Sequence, residues 1–84
     1  MTVYVDRARH GYRRMVMSHM MADTVDELHA MADSIGLKRE WFQPQSSPHY
    51  DLCQAKRALA INAGAVEASR QQMVALIRKL RSQS

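Results

Sequence analysis

Apolar and polar positions change their period several times along this chain, and each change predicts an element. Residues 2–5, Thr-Val-Tyr-Val, are β-branched and aromatic and predict a strand that ends at Asp6. Residues 7–14 are polar and basic, with Gly11 in their middle, and read as a mobile arm. From residue 15 the pattern alternates. Met15, Met17, His19 and Met21 fall on one side of a strand, and Val16, Ser18 and Met20 on the other. The period then turns helical. Thr24 followed by Glu27 forms a capping box, and Val25, Leu28, Met31, Ala32 and Ile35 recur at helical spacing up to Gly36, a natural helix stop.

The second half is read in the same way. Residues 39–42 predict a short strand, and residues 43–48, with two prolines, a loop. Asp51 stands where an N-cap is expected, ahead of a helix over 52–63 that stops at Gly64. That helix would bury Leu52, Ala55, Leu59 and Ala63. Residues 65–66 are a brief extended piece, and Ser69 with Gln72 opens a second capping box. A last helix to about Leu80 would bury Met73, Leu76, Ile77 and Leu80, and the tail 81–84 is expected to fray. The fold class is α+β. Two or three short strands pack against three helices in the order β-β-α-β-α-α, with residues 1–84 in a single small domain.

Length and composition narrow the field. Eighty-four residues are too few for a doubly wound nucleotide fold or a barrel enzyme, and they allow only a thin core. An apolar content of 46% excludes a disordered chain. Cys53 is the only cysteine, which rules out an intrachain disulfide and a four-cysteine zinc site. No apolar run approaches the ~18 residues of a membrane span, and the start of the chain lacks the pattern of a signal peptide. The expectation is a cytoplasmic protein with no membrane partner.

The net charge of +4 suits a phosphate-rich partner, but it is unevenly spread. Residues 1–14 carry +3, residues 15–36 carry −4 and residues 37–84 carry +5. A basic arm and a basic C-terminal half therefore flank one acidic helix, and some of this charge is expected to pair internally.

Three groups of side chains could carry chemistry. His19 with Asp23, and His49 with Asp51, joined by Asp6 at the strand end, offer imidazole and carboxylate ligands for a divalent metal such as Zn, Mn or Fe. The same residues suit acid–base work. Asp51 and Asp23 also have ordinary roles open to them at helix starts. The second group is His49, Tyr50 and Lys56, which could hold a phosphate at the start of the helix that follows. Lys56 falls in that helix's apolar stripe, where it snorkels along the core edge or projects into a cleft, whereas Arg57 points away. The third is the arm, where Arg9, Arg13 and Arg14 with Tyr12 suit a nucleic-acid backbone or pair with the acidic helix. His29, between Asp26 and Asp33, reads as a surface residue, and Trp41 with Phe42 as a core plug.

Tyr4-Val5-Asp6, the run from His19 to Ala32 with its Glu27-Leu28-His29, then Phe42, His49-Tyr50-Asp51, Arg57 and Gly64-Ala65-Val66 resemble a small uncharacterised domain-of-unknown-function family of bacterial and phage proteins. The resemblance covers nearly the whole chain and brings no activity, substrate or ligand. It implies that these His, Asp and Glu positions recur as a set, and that a phage or prophage source is plausible.

The leading expectation is a module that binds nucleic acid or a nucleotide phosphate through a cleft of Asp6, His19, His49, Asp51 and Lys56, with the arm beside it. One alternative is metal-dependent phosphoester or nucleotide hydrolysis at that cleft. The other is a phage or prophage factor that binds a host protein, with residues 15–21 as its Met-rich surface. So thin a core also makes a homodimer reasonable.

Overall fold

A computed structural model describes residues 2–7, 9–12, 15–44 and 47–82. It is a single small α+β domain whose sheet is richer than expected. The strands are β1 (Val3–Asp6), β2 (His10–Tyr12), β3 (Met15–Ala22), β4 (Tyr50–Cys53) and β5 (Val66–Ala68); the helices are α1 (Val25–Ser34), α2 (Gln54–Asn62) and α3 (Arg70–Ser82).

The long strand β3 organises the sheet. Met20 pairs with both Val5 and Tyr50, and Met17 pairs with both His10 and Cys53. Hence β4 runs along one edge of β3, while β1 and β2 share the other, both antiparallel. The two segments are out of step. Val5 faces Met20 but His10 faces Met17, so the step of five residues between the two pairings on one side answers a step of three on β3. This bulge of two extra residues interrupts the ladder beside His19. Beyond β1, β5 runs parallel to it, with Asp6 opposite Ala68.

Alternation sends side chains to two different layers. On one face Val5, Met20, Ala22, Tyr50 and Leu52 pack with Leu28, Ala32 and Ile35 of α1 and Ala60 of α2. On the other face Met21 and Ala68 meet Met73 and Leu76 of α3, with Tyr4, Ile77 and Leu80 at the margin. Asp6, His19 and Asp51 belong to this second face by their parity. Asp23 fastens the α3 layer: it accepts the Thr2 amide at 3.0 Å and the Tyr4 hydroxyl at 3.4 Å, and it pairs with Lys79 at 3.7 Å.

Both capping boxes form. The Glu27 amide donates to Thr24 Oγ1 at 3.2 Å, and the Gln72 amide to Ser69 Oγ at 3.2 Å. Gly36 ends α1 at φ +82°, a left-handed conformation that a side chain would strain.

Five expectations need correction. Residues 39–41 form a 3-10 turn, not a strand, closed by the Trp41 and Phe42 amides on Lys38 and Arg39. Phe42 packs on the core, but Trp41 stays 48% exposed. The supposed arm contains β2; Ala8, Arg13 and Arg14 lie outside the described residues. α3 continues through Arg81 and Ser82, whose hydroxyl donates to the Lys79 carbonyl.

The largest change is at Asp51, which is a strand residue. The helix starts at Gln54 behind Cys53, which makes no side-chain cap. Tyr50 and Leu52 are both wholly buried against β3, and that cross-strand burial outweighs the local cap signal. Starting later turns α2 about its axis. Leu59, Ala55 and Ala63 face out, and Lys56, Arg57, Ala60 and Ile61 turn inward. No helix among the described residues is long and apolar enough to cross a membrane.

Leu28 is 1% exposed in the main core. Leu28→Ala is expected to cost about 2–5 kcal/mol, read from urea unfolding at unchanged m-value. Burial also pushes the Tyr50 phenol above its ordinary value. The unfolded chain therefore gives up this proton first, and stability falls as pH rises beyond about 10. Tyr50→Phe should remove that part of the alkaline loss, and unfolding curves at about pH 8 and pH 10.5 measure it.

Candidate metal centre

The bulge leaves backbone groups beside His19 that side chains must satisfy. Asp6 does most of this. Its carboxylate accepts the His19 backbone amide at 2.9 Å through Oδ1 and the His19 ring Nδ1 at 2.7 Å through Oδ2. The Asp6 carbonyl in turn accepts Arg57 Nε at 3.1 Å, and Arg57 and Arg7 both reach Glu67 on β5. Asp6 is only 8% exposed.

Across the strand pair, His19 stands directly opposite Asp51. His49 lies two residues before Asp51, so the alternation of an extended chain brings it to the same face. The Gln43–His49 bridge holds that segment, with reciprocal backbone hydrogen bonds of 3.0 and 3.1 Å. The His49 ring is fixed through Nδ1, which donates to the Ser47 carbonyl at 2.9 Å.

Both imidazoles thus spend Nδ1 on groups that can only accept, an ionised carboxylate and a carbonyl. These partners call for a proton on Nδ1 of each ring and leave Nε2 as the nitrogen turned toward Asp51. Each Nε2 faces Asp51 Oδ1, at 3.8 Å from His19 and 3.7 Å from His49. Gln43 Nε2 donates to the other Asp51 oxygen, Oδ2, at 2.9 Å. Oδ1 is buried and accepts no hydrogen bond among the described residues. A buried carboxylate oxygen facing two imidazole nitrogens, with no hydrogen bond of its own among the described residues, is a position where a cation is favoured.

The three donor atoms lie within 4.8 Å of one another. Ligands about 2.1 Å from a tetrahedral ion sit roughly 3.4 Å apart, so the set needs only modest contraction to close on a metal. Imidazoles oriented through Nδ1 by a carboxylate and a carbonyl have the arrangement that metal sites use behind their ligands. The two rings also line a cavity of ≈ 170 Å³.

The structure brings Asp6, His19, His49 and Asp51 together, with Asp6 behind His19 rather than among the converging donors. It takes three other candidates, Asp23, Lys56 and Tyr50, elsewhere. Asp23 is engaged at the α3 layer. Lys56 Nζ donates to the Ile35 carbonyl at 2.8 Å and caps the end of α1 on the opposite face. Tyr50 is wholly buried there, its hydroxyl 2.7 Å from His29 Nδ1. Arg57 turns inward to the bulge instead of pointing away. Arg9 is exposed, and Arg13 and Arg14 are outside the described residues. His29, read as a surface residue, packs edge-on against Phe42 at 4.6 Å between ring centres. Sequence reasoning missed Gln43 and Ser47. Gln43 carries no motif, and Ser47 acts through its carbonyl, which no residue type announces.

A family model described as "Protein of unknown function (DUF4031)" matches residues 3–80. The chain belongs to this family. Neither the curated proteins nor the solved structures returned a match. The matched span includes every residue of the centre, so the bulge, the two imidazoles and Asp51 all lie within the family domain.

Asp51→Asn replaces the unsatisfied oxygen with an amide that can donate to an imidazole Nε2 while Gln43 keeps its acceptor. In the presence of a chelator this variant should be more stable than the parent by about 1 kcal/mol, or some 4–8 °C in Tm. Thermal denaturation measures it, and an unchanged or lower Tm would contradict the electrostatic reading of Oδ1.

Proposed function

We propose that this domain binds one divalent transition metal through His19 Nε2, His49 Nε2 and Asp51 Oδ1, and uses it for metal-assisted hydrolysis. The observation that carries the proposal is the Asp51 oxygen, buried between two imidazole nitrogens without a hydrogen bond among the described residues. Two histidines and one carboxylate form a recurrent ligand set for zinc and for non-haem iron, and three protein ligands leave a position open. A bound ion there would act as a Lewis acid on water or a substrate oxygen. The chain's own contribution is to hold the ligands. Asp6 and Ser47 fix the imidazole tautomers, and Gln43 directs Oδ1 toward the rings.

A phosphate-binding cleft receives less support, because Lys56 and Tyr50 are committed on the far side of the sheet. The metal reading also gives the bulge a purpose, since Asp6 can meet both N–H groups of His19 only where the ladder is broken.

Titration calorimetry with Zn, Mn and Fe(II), together with metal analysis of the purified protein, tests the reading. One ion per chain is expected. His19→Ala, His49→Ala and Asp51→Asn should each abolish tight binding, and Asp6→Asn should weaken it about 10- to 100-fold. Wild-type protein that binds none of these ions, or whose binding survives loss of both histidines, would overturn the proposal.

A further inference from the structure

We infer that the metal centre serves a small neutral or singly charged ligand with one oxygen-bearing, metal-binding end and a short apolar body, seated in the cavity between the sheet and α3. The inference rests on the proposed metal site and adds its ligand class.

The cavity has two kinds of lining. Asp6, His19, His49 and Ser47 give it polar lining, and Met21, Met73 and Ile77 give it apolar lining; Asp51, the third proposed ligand, is not among its lining residues. Its volume is ≈ 170 Å³. An apolar cavity of about 150 Å³ takes a six-carbon ring, whereas drug-sized ligands occupy roughly 300–1,000 Å³. A body of about six carbons therefore matches the space within the partly open cavity, and the larger part of a nucleotide would lie outside it.

Charge points the same way. No lysine or arginine is among the described residues lining the cavity. A divalent ion would be balanced by the carboxylates of Asp51 and Asp6, which leaves little positive charge for a polyanion. Two methionines in the apolar wall give it a surface that adapts to an unbranched chain.

The test uses the full chain loaded with Co(II), whose visible spectrum reports on ligands entering the coordination sphere. The probes are acetohydroxamate, butanohydroxamate, hexanohydroxamate and octanohydroxamate, with inorganic pyrophosphate as the polyanion. Affinity should rise roughly three- to fourfold per methylene up to hexanohydroxamate and then level off. Pyrophosphate should bind more weakly than acetohydroxamate. Ile77→Ser should flatten the series and leave Co(II) affinity within about twofold, since Ile77 supplies none of the proposed ligand atoms. Ile77→Thr, closer in shape, serves the same comparison if the serine variant does not fold. A flat series in the wild-type protein, or pyrophosphate as the tightest ligand, overturns the inference while Co(II) binding itself stands. Absence of Co(II) binding overturns the metal site and this inference with it.

Discussion

The Asp6 carboxylate is held by both N–H groups of His19, and the rest of the site depends on that double contact. It exists because β1 and β2 are out of register along β3. In an unbroken ladder the His19 amide would meet a backbone carbonyl. At the bulge it meets a side chain instead, and the same side chain orients the ring. The broken ladder thus becomes the means of fixing an imidazole. The arginine that completes the bulge comes from α2, which ties the second helix to the same point.

The second constraint is parity. Tyr50 and Asp51 are neighbours in sequence and face opposite layers. Tyr50 fills the main core beside His29 and Phe42, and its burial fixes the strand that carries His49 and Asp51. A core of modest size can therefore place polar groups accurately, since each buried residue on one face sets its neighbour on the other. α3 covers Tyr4, Met21 and Ala68 on the polar face, with the imidazole end at its margin.

Local signals were readable where local chemistry decides. Both capping boxes, the glycine stop at Gly36 and the alternation through residues 15–21 could be read directly, and the alternation already separated His19 from the core-facing Met20. The spacing of His49 and Asp51 also carried the correct face once that segment is extended. Asp51 misled because an aspartate ahead of an apolar residue is the usual N-cap signal, and only pairing with β3 reveals the strand. Every error on α2 follows from that one. A start two residues later turned Leu59 outward and brought Arg57 to Asp6, whereas Lys56 lies along the core edge, as one of its two readings had it, and reaches the Ile35 carbonyl. The bulge itself left no trace in residue types, so the double contact of Asp6 with His19 could not be read from them.

The most direct measurement of the central claim is X-ray absorption at the zinc edge on the zinc-loaded chain. The account predicts two imidazole nitrogens and at least one oxygen at about 2.0–2.2 Å, with no sulfur scatterer. A zinc–sulfur distance near 2.3 Å, or scattering from fewer than two imidazoles, would contradict it.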